Sequence, residues 1–264
     1  MLMAVNIGNT RISIGFLDDI CKVLFQFKIA TDVNKTADEY LSVVRSIVRE
    51  EKIERSQLTG VIIASVVPVL TPVLKEVAFR IVGIEPLVVG AGLKTGFPIR
   101  IDSPSELGAD IVANTCAVIS DMAETITPTV IVDMGTVNTV SAISKNGEYI
   151  GCSIFPGIQM SFDVLHGGTA QLPNVTVTQQ LKAIGKNSAE SLRSGVIIGN
   201  AIMLDGFVYR FAKELKTNPD DIRLVITGEY AKYVKGVCKR NFELDEDLTL
   251  KGLFHLYKKN TPHN

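Results

Sequence analysis

The sequence predicts an α/β protein made of two related halves, on three observations. Apolar runs of strand length alternate with helical periodicities along the 264 residues. The opening stretch AVNIGNTRISIGF has a counterpart, TVIVDMGTVNTVSAIS, where the second half begins. Each reads as an apolar run, an Asn or Asp, one residue, a Gly, and a Thr-bearing turn into an alternating strand. Finally, 46% hydrophobic composition in a chain of this length can bury a sizeable core without a disulfide framework or a metal.

The elements follow in order. Met3 to Ile7 is an apolar strand, and Ile12, Ile14 and Phe16 alternate along a second. Thr36 and Glu39 have capping-box spacing and precede Tyr40, Val43, Val44, Ile47 and Val48 at helical intervals. GVIIASVVP is a buried strand ended by Pro68, TPVLKEVAFRIVG a helix with proline near its start, and EPLVVG another strand. After a loop, a helix is expected from about Ser105 to Met122. The polar stretch ETITP marks a boundary between domains 1–124 and 125–264.

In the second half, GCSIFPGIQMSFDVLHGGTAQLPNV reads as a connector rich in glycine, proline and polar residues. A long helical stretch starts near Asn187 or Ser188, interrupted at Gly195 and Gly199. IRLVITGEYAKYV is a strand, a turn at Gly228, and a helix. The tail YKKNTPHN is expected to fray.

Twenty-seven basic residues against 28 acidic ones leave a net charge of −1, which gives no reason to expect nucleic acid or a membrane surface as a partner. No run of 18 apolar residues and no secretory leader is read in the chain. Cys21, Cys116, Cys152 and Cys238 are far apart, as in a cytoplasmic protein with reduced thiols. The three histidines form no ligand spacing with them.

Chemistry concentrates in four places. The glycine-bearing turns at Gly8-Asn9-Thr10 and Gly135-Thr136 offer backbone N–H groups and hydroxyls to anionic oxygens. They lead into strands, so they are not Walker loops; they are phosphate-binding hairpins or ordinary ones. Two such hairpins, one per half, would face each other across an interdomain nucleotide cleft, the actin/hexokinase layout. Asp110, behind Gly108 at a helix start, is either a base for a substrate hydroxyl or a carboxylate stabilising the helix dipole. Thr169 either reaches a ligand or caps a loop.

These segments together resemble the type III pantothenate kinases, of the acetate and sugar kinase, Hsc70 and actin superfamily, whose domains are ribonuclease H-like. Asn6-Ile7-Gly8-Asn9-Thr10 resembles the family's Asp-x-Gly-Asn-Thr. Ser65 to Pro68, Gly108-Ala109-Asp110, Val132 to Thr136, Pro156-Gly157, Thr169 to Pro173, Ile184 onward and Asp247 onward match further motifs in order. The resemblance implies ATP-dependent phosphorylation of pantothenate, the first step of coenzyme A synthesis. It implies Asp110 as general base and Asn6, Gly8, Asn9, Thr10, Gly135 and Thr136 around the ATP phosphates with Mg²⁺. It further implies Asp133 at a K⁺ or NH₄⁺ ion, Gly108, Asp110 and Thr169 at pantothenate, and a homodimer.

Five positions depart from the family pattern. Asn6 replaces an acid, and Ile111 an arginine. Asn138 stands for a threonine, Cys152 for a glycine, and Glu229 for the second glycine of a turn. An amide brings no charge to a Mg²⁺–nucleotide site, and isoleucine no charged hydrogen bond to an anionic substrate. A catalytically impaired relative that binds a ligand or partner, and a kinase for another small alcohol, are therefore alternatives.

Overall fold

A computed structural model describes residues 1–122 and 125–261. It divides into two compact units. In the first, β1 (Leu2–Ile7) and β2 (Arg11–Leu17) form a hairpin, and β3 (Val23–Ala30) continues it antiparallel. α1 (Ala37–Glu50) follows, and β4 (Gly60–Ser65) pairs parallel to β1. α2 (Thr71–Val82) leads to β5 (Leu87–Val88), giving the sheet order β3-β2-β1-β4-β5. A 3₁₀ turn at Pro104–Glu106 then precedes α3 (Ala109–Asp121). The helix thus starts four residues later than the sequence suggests, because Pro104 opens a separate turn and Gly108 intervenes.

Local chemistry explains these limits. At α1 the expected capping box is present: the Glu39 amide donates to Thr36 Oγ1, and the Thr36 amide to Glu39 Oε2. Tyr40, Val44 and Val48 form its buried stripe. α2 ends at Gly83, whose φ of 79° is the left-handed cap that glycine adopts without strain. The core of this unit joins Val5, Ile7, Ile14 and Phe16 of the hairpin to Tyr40, Val44, Ile63, Leu74 and Val77.

The second unit repeats the plan. β6 (Thr129–Met134), β7 (Val137–Ile143) and β8 (Tyr149–Pro156) form an antiparallel meander. α4 (Ile158–Gly167), α5 (Ser188–Arg193), a π-helical turn at Ser194–Ile198 and α6 (Gly199–Glu214) follow. β9 (Arg223–Thr227) pairs parallel to β6, then come α7 (Ala231–Val234) and β10 (Glu243–Leu244). The order β10-β9-β6-β7-β8 is that of the first sheet. The sequence of buried and open positions along β1 recurs in β6, and that of β2 in β7. Duplication of the hairpin is therefore a property of the packing as well as of the sequence.

Much of the connector expected after Gly151 is ordered, as the end of β8 and as α4. Gly157 is the N-cap of α4, and Ile158, Phe162 and Leu165 return at helical spacing toward the second core. Helix α5 starts at Ser188 under an Asn187 cap, where the sequence places it. Gly195 falls in the π-helical turn, so the expected interruption is a change of winding rather than a break. Ser188–Glu214 is long and apolar enough to span a membrane by composition, yet Leu192, Ile197, Ala201, Leu204 and Val208 of it pack in the second core.

Finally α8 (Leu248–Asn260) belongs to the first unit, which comprises Met1–Pro98, Asp102–Asp121 and Asp247–Asn264. The expected division assigned this tail to the second half. Of the boundary residues themselves, 123 and 124 lie outside the described ones. α8 lies against α3 so closely that a side chain on Gly252 would collide with the Ala113 carbonyl. Thr249 Oγ1 donates to Asn114 Oδ1 at 2.7 Å. Tyr257 to Asn260, expected to fray, are helical; residues 262–264 lie outside the described ones.

Candidate active site

In the first unit, the β1–β2 turn is closed by the Gly8 amide donating to the Arg11 carbonyl at 2.9 Å. Asn9 and Thr10 are exposed at its tip. Thr31, the first residue after β3, holds the turn from behind. Its amide donates to the Thr10 carbonyl at 3.0 Å and its hydroxyl to the Gly8 carbonyl at 2.7 Å. With those two carbonyls engaged, the turn's geometry is fixed before any ligand arrives. Thr31 was not singled out in the sequence; its signal is its place directly after an alternating strand.

Asn6 stands one residue before the last of β1, between Ser13 and Ala64 of the neighbouring strands. Its Oδ1 is buried and has no hydrogen-bond partner. An unpaired buried carbonyl oxygen carries a desolvation cost, which an incoming donor or hard cation would relieve. Asp133 occupies the same position in β6, between Thr139 and Thr227. A side chain on Gly135 would stand 3.7 Å from Asp133 Oδ1, so the carboxylate lies along the turn. Among the described residues no three His, Cys, Asp or Glu side chains gather as a metal site. Asn6 and Asp133 each stand as a single oxygen donor within their own unit, which fits a hard cation only where phosphate and water supply most of its ligands.

The second turn is held as the first is. Gly157, directly after β8, donates its amide to the Thr136 carbonyl at 3.1 Å. A side chain there would collide with the carbonyls of Gly135 and Thr136, so glycine lets the start of α4 close on the turn. Gly228, with φ of 96°, likewise lets the turn after β9 close on Met134, and the Tyr230 amide donates to the Met134 carbonyl. The Gly135-Thr136 turn, the start of α4 and the Gly228 turn thus meet at one end of the second sheet, with Glu229 beside them.

Asp110 stands in the first turn of α3, in the first unit. Its carboxyl is held by the Ile111 amide, which donates to Oδ1 at 2.8 Å. Burial pushes its pKa above the usual carboxylate range, against the opposing pull of the Ile111 amide and its own. Gly108 makes the placement possible, since a Cβ there would stand 2.6 Å from Asp110 Oδ1 and 3.8 Å from Val66 Cγ1. The Val66 amide in turn donates to the Ile7 carbonyl at the end of β1. One residue, Val66, therefore separates the start of α3 from the β1–β2 turn.

The remaining expected positions lie elsewhere. Thr169 is exposed beyond the C-terminus of α4, its hydroxyl donating to the Leu165 carbonyl, a helix length away from Gly157. Ile111 is buried in α3 and Cys152 is exposed on β8. Asn138 is buried, donating to Asn200 Oδ1 at 2.7 Å, while Asn200 donates to the Val196 carbonyl. Asn200 escaped the sequence reading, though a lone amide inside VIIGNAIML was its signal.

Two five-stranded sheets of one order, each with a hairpin turn held from behind, define the actin/hexokinase class of nucleotide-binding folds. A Sinorhizobium meliloti protein described as a 2-dehydro-3-deoxygalactonokinase superposes with a TM-score of 0.57 over the whole of both chains at 11% identity. A Campylobacter jejuni protein described as a Baf family transcriptional activator does so with a TM-score of 0.57 over 98% of both chains at 20% identity. These two likenesses concern the fold alone. The sequence is more specific: the type III pantothenate kinase family model matches residues 2–210. The curated type III pantothenate kinase of Geotalea daltonii is 36% identical over 260 residues, 98% of this chain and 99% of that one. The chain belongs to the type III pantothenate kinase family.

Proposed function

We propose that this chain transfers the γ-phosphoryl group of ATP to the primary hydroxyl of pantothenate, giving 4′-phosphopantothenate and ADP. The observation that carries this reading is Asp110: a desolvated carboxyl, oriented by the Ile111 amide, beside the glycine turn that ends β1. As the acceptor hydroxyl attacks phosphorus, Asp110 takes its proton; a base with a raised pKa is a better match for that task near neutral pH. The turns at Gly8, Asn9 and Thr10 and at Gly135 and Thr136 bind the phosphates through N–H and hydroxyl donors. Asn6 Oδ1 would face the Mg²⁺–phosphate group and Asp133 the monovalent cation, K⁺ or NH₄⁺; when bound, these ions neutralise phosphate charge. Gly108 and Thr169 border the acceptor, with Thr169 brought to it in a homodimer. Val164, Ile202 and Tyr209 leave apolar surface exposed on α4 and α6, which supports such a dimer. The protein acts in the cytoplasm in this reading.

A second reading rests on Ile111 and Asn6. A buried isoleucine beside the base cannot anchor a carboxylate, which favours an uncharged small alcohol as acceptor or a chain that binds without turning over. ADP release from Mg²⁺–ATP, with and without pantothenate and with K⁺ or NH₄⁺, separates the cases. Pantothenate-dependent release supports the kinase. Release with pantetheine or another neutral alcohol alone supports the second reading, and silence with intact ATP binding supports the non-catalytic one.

A further inference from the structure

Where the C-terminal ends of α1 and α2 meet, the first unit carries a cavity of about 470 Å³ that the proposed reaction does not use. Cations surround it: Arg45 and Arg49 on α1, Lys52 just beyond, Arg55 in the next turn, and Arg80 on α2; Glu54 is the sole acid among its lining residues. Its floor is apolar, made by Val48, Leu58 and Ile81, all buried.

Pairing accounts for only one of these charges. Arg80 is bound to Asp38 at 2.7 Å and Glu76 at 3.3 Å. Arg45, Arg49 and Lys52 enter no ion pair among the described residues, and Arg45 and Arg49 are i,i+4 neighbours whose like charges repel. The helix dipole favours Arg49 in the last turn of α1 and Arg80 in the last turn of α2, but Arg45 stands a turn earlier and Arg55 comes from another element. Arg55 is moreover fixed: its Nε donates to the Val82 carbonyl at 3.1 Å. Its guanidinium lies over Gly83, where any side chain would collide with it.

A concave, predominantly cationic surface concentrates potential, and guanidinium forks match phosphate oxygens. The cavity falls within the roughly 300–1,000 Å³ typical of small-molecule sites, which a flat basic stripe for a polyanion would not. We propose that it binds a small organic phosphate, with the phosphate on Arg45, Arg49 and Arg55 and the apolar body on the Val48–Leu58–Ile81 floor. The site is separate from the hairpin turns. β4 begins two residues after Leu58 and runs the six residues Gly60–Ser65 to the end where Val66 meets β1, a span of about 20 Å.

Calorimetry on the intact protein at physiological salt, with phenyl phosphate and inorganic phosphate as probes, tests this. Phenyl phosphate is expected to bind the more tightly, because only it uses the floor. Arg45→Gln with Arg49→Gln, both exposed, should weaken it by about tenfold or more. Arg55→Lys should weaken it too although charge is kept, whereas Thr10→Ala should leave it unchanged. No saturable binding overturns the proposal. So does binding that survives the arginine changes or is lost in Thr10→Ala, and so does equal affinity for both probes.

Discussion

Asp110 is partly buried, at a cost that its neighbours only partly offset, and this gives two expectations of opposite sign. Asp110→Asn should lower turnover by about 10²–10⁴-fold, the usual contribution of a general base. The same change should stabilise the protein. Because the folded pKa is raised, the native state binds more protons than the unfolded one between the ordinary carboxylate pKa and the raised value. Stability is thus lost as pH rises through that window and stays lower above it. Melting curves of Asp110→Asn and the parent should coincide in acid and separate in the variant's favour toward neutral pH. Asn6 invites the reverse substitution. Asn6→Asp places a charge at an oxygen that now has no partner, and should raise Mg²⁺-dependent turnover by about 10²-fold. Without Mg²⁺ it should melt lower than the parent; a variant indifferent to Mg²⁺ would remove this position from the phosphate site. Most of these residues were legible in the sequence because they sit in short motifs. Asn200 and Thr31 were not, since their partners, Asn138 and the turn carbonyls, lie 62 and about 20 residues away.

Among the elements, local signals were read well where chemistry is local. The capping box at Thr36, the proline at the start of α2 and the apolar run of β4 all appear where the chain announces them. The misreading after Gly151 has a specific cause. Glycines bracket α4, and at Gly157 the backbone caps the helix while the missing side chain serves the neighbouring turn. A residue chosen for what it lets approach looks, in sequence, like a breaker. The same reasoning makes Gly252 a sharp test of α8 against α3. Gly252→Ala forces the two helices apart and should cost about 1–3 kcal/mol, the usual range for overpacking. Because α3 carries Asp110, kcat should fall with it. An unchanged melting temperature would mean the helices are not so close.

For the molecule as a whole, the proposed homodimer predicts a particle of twice 28.7 kDa. Ile202→Glu, at a position 65% exposed, should shift it toward monomer in sedimentation and weaken pantothenate use. Monomers at working concentration with full activity would separate Thr169 from the acceptor. Duplication was visible in the sequence as two similar openings, and the matching sheet orders extend it to the whole plan of each unit. The return of α8 was not visible, because nothing in a segment's own periodicity says which of two cores it will join. Its partner α3 is more than a hundred residues upstream, so the contact is a fact of topology alone.

That return also sets a timetable. Residues 122–246 are complete as a unit before residue 247 exists, whereas the unit begun at residue 1 waits for the chain's last helix. At about 5–20 residues per second of synthesis, the gap between α3 and α8 lasts roughly 6–25 s. During it the apolar face of α3 that α8 later covers has no cover from its own unit. The customary order, amino-terminal part first, is reversed here: the second unit can fold while the first is still waiting. A nascent chain stalled between the two would present a finished carboxyl-terminal half and a sticky amino-terminal one, the state in which chaperones would be needed most.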